Sequence, residues 1–86
     1  MPTIAELQEN LLLFLFADQL HNTSTCRETI KETYGINFEV VYSPLLESGK
    51  IEETGTDDPQ DPSRNVVSLT EKGIEAVSAI ISVAVS

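Results

Sequence analysis

Apolar residues follow a helical period at the start of the chain, where Ile4, Leu7, Leu11 and Phe14 form one stripe. Leu12, Leu13, Leu15 and Phe16 then carry the apolar character around the whole circumference. A helix apolar on every side must be covered on every side, so part of this one is expected to meet a second chain. Thr3-Ile-Ala-Glu6 has the form of a capping box and sets its start, with the end near Leu20. After the polar break His21–Ser24, Thr25-Cys-Arg-Glu28 repeats the capping pattern and predicts a short helix to Tyr34, with Cys26, Ile30 and Tyr34 inside. Gly35 suits the position just past that helix, where a left-handed backbone costs least. A third helix is expected over Asn37–Ser48, with Asn37 as N-cap and Val40, Val41, Leu45 and Leu46 inward. Pro44 lies within it and predicts a kink or a break into two short turns near Tyr42 and Ser43.

The period then changes from helical to alternating. Lys50–Thr54 reads as a strand with Ile51 inward, and Asn65–Leu69 as its return with Val67 and Leu69 on one face. Between them Gly55–Ser63 is an acidic loop with two prolines. Thr70 caps a last helix whose inner stripe is Ile74, Val77, Ile80, Ile81 and Val85. The fold class expected is α+β, mostly α, a winged helix-turn-helix with a two-stranded hairpin and a C-terminal helix. One domain is expected over residues 1–86.

Two fragments carry a family resemblance. Leu46-Glu-Ser-Gly49-Lys-Ile51 resembles the segment that closes the third helix and enters the wing in MarR-like and PadR-like winged-helix proteins. Val67-Ser-Leu69-Thr70-Glu-Lys-Gly73 resembles their exit from the wing into the next helix. The likeness spans about residues 23–77. It implies DNA binding through the third helix and the wing, with Asn37, Tyr42 and Ser43 in the groove and Arg27, Lys31, Lys50 and Arg64 on phosphates.

Charge opposes that implication. The chain carries 14 acidic residues against five basic ones, a formal net charge of -9. Affinity for nucleic acid comes largely from Lys and Arg meeting phosphates, and an excess of carboxylates repels the polyanion. The third helix holds Glu39 and Glu47 and no basic residue, and the wing loop holds Asp57, Asp58 and Asp61. The expected role is therefore a non-enzymatic, acidic winged-helix module acting through protein–protein contacts, with DNA-binding regulator as the alternative. Glu39, Tyr42, Asp57, Asp58 and Asp61 would face a basic partner, and Leu12, Phe16, Ile80, Ile81 and Val85 would make a homodimer.

Catalytic chemistry finds little support. His21 is the only histidine and Cys26 the only cysteine, in a break and at a helix start respectively. No internal disulfide can form, and a cytoplasmic location is expected. A position near a helix N-terminus could lower the Cys26 thiol pKa, which would suit redox sensing. No phosphate-binding glycine loop and no two-histidine metal spacing occurs, and Asp57-Asp-Pro-Gln-Asp61 lacks the glycine and final glutamate of a calcium loop. No cofactor, metal or membrane is expected. No basic segment precedes the first apolar run, and neither it nor the Ile74–Val85 tail reaches the ~20 residues a membrane span needs.

Overall fold

The computed structural model describes residues 3–55, 60 and 64–85, with the side chains of residues 84 and 85 excepted. Four helices and three strands follow in the order α1 (Ile4–His21), β1 (Thr25–Cys26), α2 (Arg27–Tyr34), a 3-10 turn (Gly35–Asn37), α3 (Phe38–Glu47), β2 (Ile51–Thr54), β3 (Val66–Leu69) and α4 (Glu71–Val85). The class is α+β and mostly helical, with a hairpin between α3 and α4 as the patterning predicts.

The sheet has one strand more than expected. Its order is β1-β3-β2, all antiparallel. Ile51 pairs with Leu69 and Thr54 with Val66, while Thr25 and Cys26 pair with Val67 and Val66 across the other edge of β3. This corrects the role assigned to Thr25. Its hydroxyl donates to Asp18 Oδ2 over 2.5 Å instead of capping α2, and Thr23 donates to Asp18 Oδ1 over 2.8 Å. The carboxylate at the end of α1 thus holds the turn into β1. The N-cap place passes to Cys26, whose side chain makes no capping bond. The wing instead supplies one acceptor for the helix start, the Asn65 carbonyl, which accepts from Arg27 N over 2.9 Å.

Asn37, expected to cap α3, also makes no side-chain capping bond, whereas the caps of α1 and α4 follow the sequence more closely. Glu6 N donates to Thr3 Oγ1 over 3.2 Å, but the Glu6 carboxylate accepts from the Thr3 hydroxyl and not from a backbone amide. Thr70 Oγ1 accepts from Gly73 N over 3.1 Å and donates to the Gly49 carbonyl, so one side chain caps α4 and ties it to the turn leaving α3. That turn needs Gly49, whose φ is 79°.

The expected break into two short turns does not occur: Phe38–Glu47 is one helix with Pro44 inside it. Proline leaves the carbonyl four residues earlier, that of Val40, without its helical donor. Gln8 of α1 fills the gap, its side-chain amide donating to the Val40 oxygen over 3.1 Å. A contact between two helices therefore stands in for a bond within one.

A single continuous core joins these elements: Leu11, Leu12 and Leu15 of α1, Ile30 of α2, Phe38, Val41, Tyr42 and Leu45 of α3, Ile51, Val67 and Leu69 of the sheet, and Val77 of α4. Most of the apolar girth of α1 is covered by its own chain, since Leu7, Leu13 and Phe16 also pack against this cluster. Among the described residues no helix is long and apolar enough to cross a membrane.

Candidate functional site

The helix that would enter a DNA groove has a buried and an exposed side, and the structure divides them differently from the sequence reading. Phe38, Val41, Tyr42 and Leu45 point inward, at the i, i+3, i+4, i+7 spacing of one helical face. Val40, expected inside, is 47% exposed, and Ile36 in the preceding turn is 96% exposed. Outward lie Asn37, Glu39, Pro44 and Glu47, with Ser43 half-buried beside them. Ser43 Oγ donates to Glu39 Oε2 over 3.3 Å. This face presents carboxylates and two aliphatic side chains, and no cation.

Tyr42, expected at a partner surface or a base edge, is instead a core residue with 2% of its surface exposed. Its ring stacks on Phe38 with centroids 4.8 Å apart and planes 18° from parallel. The Arg27 guanidinium lies 5.8 Å from both ring centroids, and Arg27 Nε is 3.8 Å from Glu53 Oε1. Arg27 of α2 is thus engaged by the aromatic pair of α3 and by the β2 carboxylate, with 37% of its side chain still exposed. The Tyr42 hydroxyl and Glu53 Oε1 are both buried without a hydrogen bond of normal geometry. Burial, reinforced by the Glu53 charge and contact and only partly offset by Arg27, pushes the Tyr42 phenol well above its ordinary value. Burial alone raises that of Tyr34.

Of the other basic candidates, Lys31 and Arg64 are exposed and Lys50 is half-buried. Asp57, Asp58 and Asp61 lie outside the described residues, as does the side chain of Val85. In the self-association set, Leu12 is 3% exposed and belongs to the core, while Phe16 and Ile80 are half-buried against it. Ile81 is 40% exposed, and Val83, not foreseen, is 78% exposed. Residues Ala5, Gln8, Glu9, Ala76, Ala79 and Ile80 help to line an open groove of about 310 Å³ between α1 and α4.

Cys26 is half-exposed, not a buried apolar residue. Its Sγ lies 3.3 Å from Thr29 Oγ1. Hydrogen bonding from the Thr29 side chain, then its backbone amide and, less strongly, the Glu28 amide lowers the thiol pKa, against smaller opposing effects of burial and of the Glu28 charge. His21 is exposed at the end of α1. Among the described residues no group of three or more His, Cys, Asp or Glu side chains is arranged to hold a metal ion.

Ile36 and Val40 are the surface residues the sequence reading missed, together with Gln8. Their signal was present in the spacing. Placing Phe38, Val41, Tyr42 and Leu45 on one helical face leaves 36 and 40 on the other. Comparison with family models, with curated proteins and with solved structures finds no match for this chain.

Proposed function

We propose that this chain is a non-enzymatic, acidic winged-helix module of the MarR/PadR-like type that acts in the cytoplasm by binding another protein. One observation carries the reading: the exposed face of α3 and the turn before it bears Glu39, Glu47, Ile36 and Val40 and no cation, while the nearest arginine, Arg27, is paired with Glu53. A surface built to meet phosphates would place Lys and Arg there, because releasing counterions from the polyanion supplies most of the affinity.

Self-association through α4 is part of the proposal. Residues 76–85 contain no charged side chain, and Ile81 and Val83 are exposed along them. Two copies meeting on this stretch bring no charged side chain of residues 76–85 together, although Glu9 of α1 borders it beside Ile80 and Val83. Val83→Glu would then convert a dimer to a monomer in light scattering at unchanged helicity.

The deciding experiment is an amide-resolved NMR titration with a random-sequence DNA duplex at low salt, where electrostatic binding is strongest. An unperturbed spectrum is expected. Shifts confined to Asn37, Ser43, Lys50 and Arg64 would sink the reading and make the chain a DNA-binding regulator.

A further inference from the structure

We infer that the outer surface formed by Ile4, Ile36, Glu39 and Val40 is a docking site for a cationic segment with apolar anchors, such as a basic amphipathic helix. The inference rests on the protein-binding reading above and gives it a place and a partner chemistry.

Three observations converge on this surface. First, Ile36 is 96% exposed, Val40 47% and Ile4 41%, a cost in hydrated apolar area that the monomer does nothing to recover. Second, hydrogen bonds join the start of α1 to the segments on either side of Ile36. The Gln8 amide reaches the Val40 carbonyl over 3.1 Å, and the Tyr34 hydroxyl reaches the Leu7 carbonyl over 3.5 Å. Ile4 sits one turn before Gln8 on the same α1 face, the face from which Gln8 reaches the Val40 carbonyl near the start of α3. Third, neither contributing segment holds a Lys or Arg. None occurs in residues 1–26, and none in residues 32–49, whereas Glu6, Glu39 and Glu47 belong to them.

That charge pattern selects the occupant. A second copy of this chain would set carboxylates against carboxylates at this face, and an anionic membrane would be repelled in the same way. A cationic partner gains on both counts, since its aliphatic side chains cover Ile36 and Val40 while its Lys or Arg side chains meet Glu39 at the rim. The site does not overlap the uncharged stretch of α4 through which two copies are proposed to meet.

The test uses a synthetic Leu/Lys peptide of about 14 residues, roughly four helical turns, patterned with a helical period. A Leu/Glu peptide of the same pattern and a DNA duplex serve as the other two probes. With the full chain labelled for NMR, the Leu/Lys peptide at low salt is expected to shift the amides of Ile4, Ile36, Glu39 and Val40, and the Leu/Glu peptide to leave them unmoved. Ile36→Ser should weaken binding by roughly tenfold or more. Because that side chain is almost wholly exposed, the rest of the spectrum should superimpose on the parent. Val83→Ser, on α4, should leave the affinity unchanged. Shifts that instead gather around Ile81 and Val83 would overturn the site while leaving the protein-binding reading intact. Equal response to the two peptides, or silence to both, would overturn the cationic docking site. Binding of the duplex alone would overturn both readings.

Discussion

Gly73 shows how much one missing methyl group decides. A Cβ placed on it would lie 2.0 Å from the Lys50 carbonyl oxygen, a distance real atoms do not tolerate, and 3.0 Å from Leu69 Cδ2. The α4 backbone rests directly on the chain entering β2, where Thr70 N also bonds to the Lys50 oxygen over 3.1 Å. Gly73→Ala should cost about 1–3 kcal/mol or more, as overpacking does elsewhere, read as a lower urea midpoint. Gly55→Ala, with open space around it, should be close to neutral by the same measurement. Tyr42 makes a second prediction at this scale. Both Tyr34 and Tyr42 hold their protons to higher pH in the folded chain than in the unfolded one. Above pH ~10 the unfolded state therefore binds fewer protons than the folded state, and stability falls as pH rises; below that it is unaffected by these groups. Urea midpoints between pH 8 and 11 should decline only in the upper half of the range. Tyr42→Phe should soften the decline and change stability at pH 8 by less than ~1 kcal/mol, since the hydroxyl it removes has no normal partner. A Tyr42→Phe variant that kept the full alkaline loss would show that Tyr42 is not its source.

At the scale of elements, α3 remains unbroken, and a donor from α1 replaces the one its proline lacks. If Gln8 is there for the Val40 carbonyl, its value should vanish when the proline does. Gln8→Leu should cost roughly 0.5–1 kcal/mol in the parent, the size of an ordinary exposed or half-exposed hydrogen bond, and close to nothing alongside Pro44→Ala. Additive costs in that double-mutant cycle would remove the link. The same helix marks the limit of what patterning could tell. Helix positions, both strands of the hairpin and the glycine turn at Gly49 were legible because each depends on residues close in sequence. The unbroken α3 was not, since its missing bond is supplied from 32 residues away. Nor was β1, two residues long, whose partner strand begins 40 residues later and whose Thr25 carries a capping signature that Asp18 overrides. Tyr42 was misplaced for a different reason. A tyrosine is amphipathic, and a helix with apolar residues at 40, 41, 45 and 46 allows more than one inward face. Only the contact with Phe38 and Arg27 selects the one that buries the ring. The candidate surface was legible as acidic and not as apolar, because Val40 reads as a core residue and nothing local assigns Ile36 a side until the face is chosen.

For the molecule as a whole, the balance of charge sets how the fold responds to its solvent. Attraction between fixed charges contributes little to stability here. Among the described residues the one ion pair is Arg27–Glu53, at 3.8 Å and partly exposed, and pairs of that kind are worth about 0–1 kcal/mol. Repulsion outweighs it, because a net charge of -9 is confined to a small volume when the 86 residues fold and is spread out when they unfold. Salt shortens the Debye length from about 30 Å at 0.01 M to about 8 Å at 0.15 M and so relieves the folded state more than the unfolded one. Thermal melts should therefore move upward between those two salt concentrations. A relief of about 1 kcal/mol would correspond to roughly 4–8 °C in a domain of this size. Replacing exposed Glu39 with Gln should reproduce a small part of the gain at low salt and add almost nothing at high salt. Binding of a cationic partner should show the opposite dependence, weakening as salt rises, because there the same carboxylates attract. A melting temperature that fell with salt would mean that favourable pairs outweigh the repulsion, and the acidic surface would then have to be explained by the stability of the fold and not by what the fold binds.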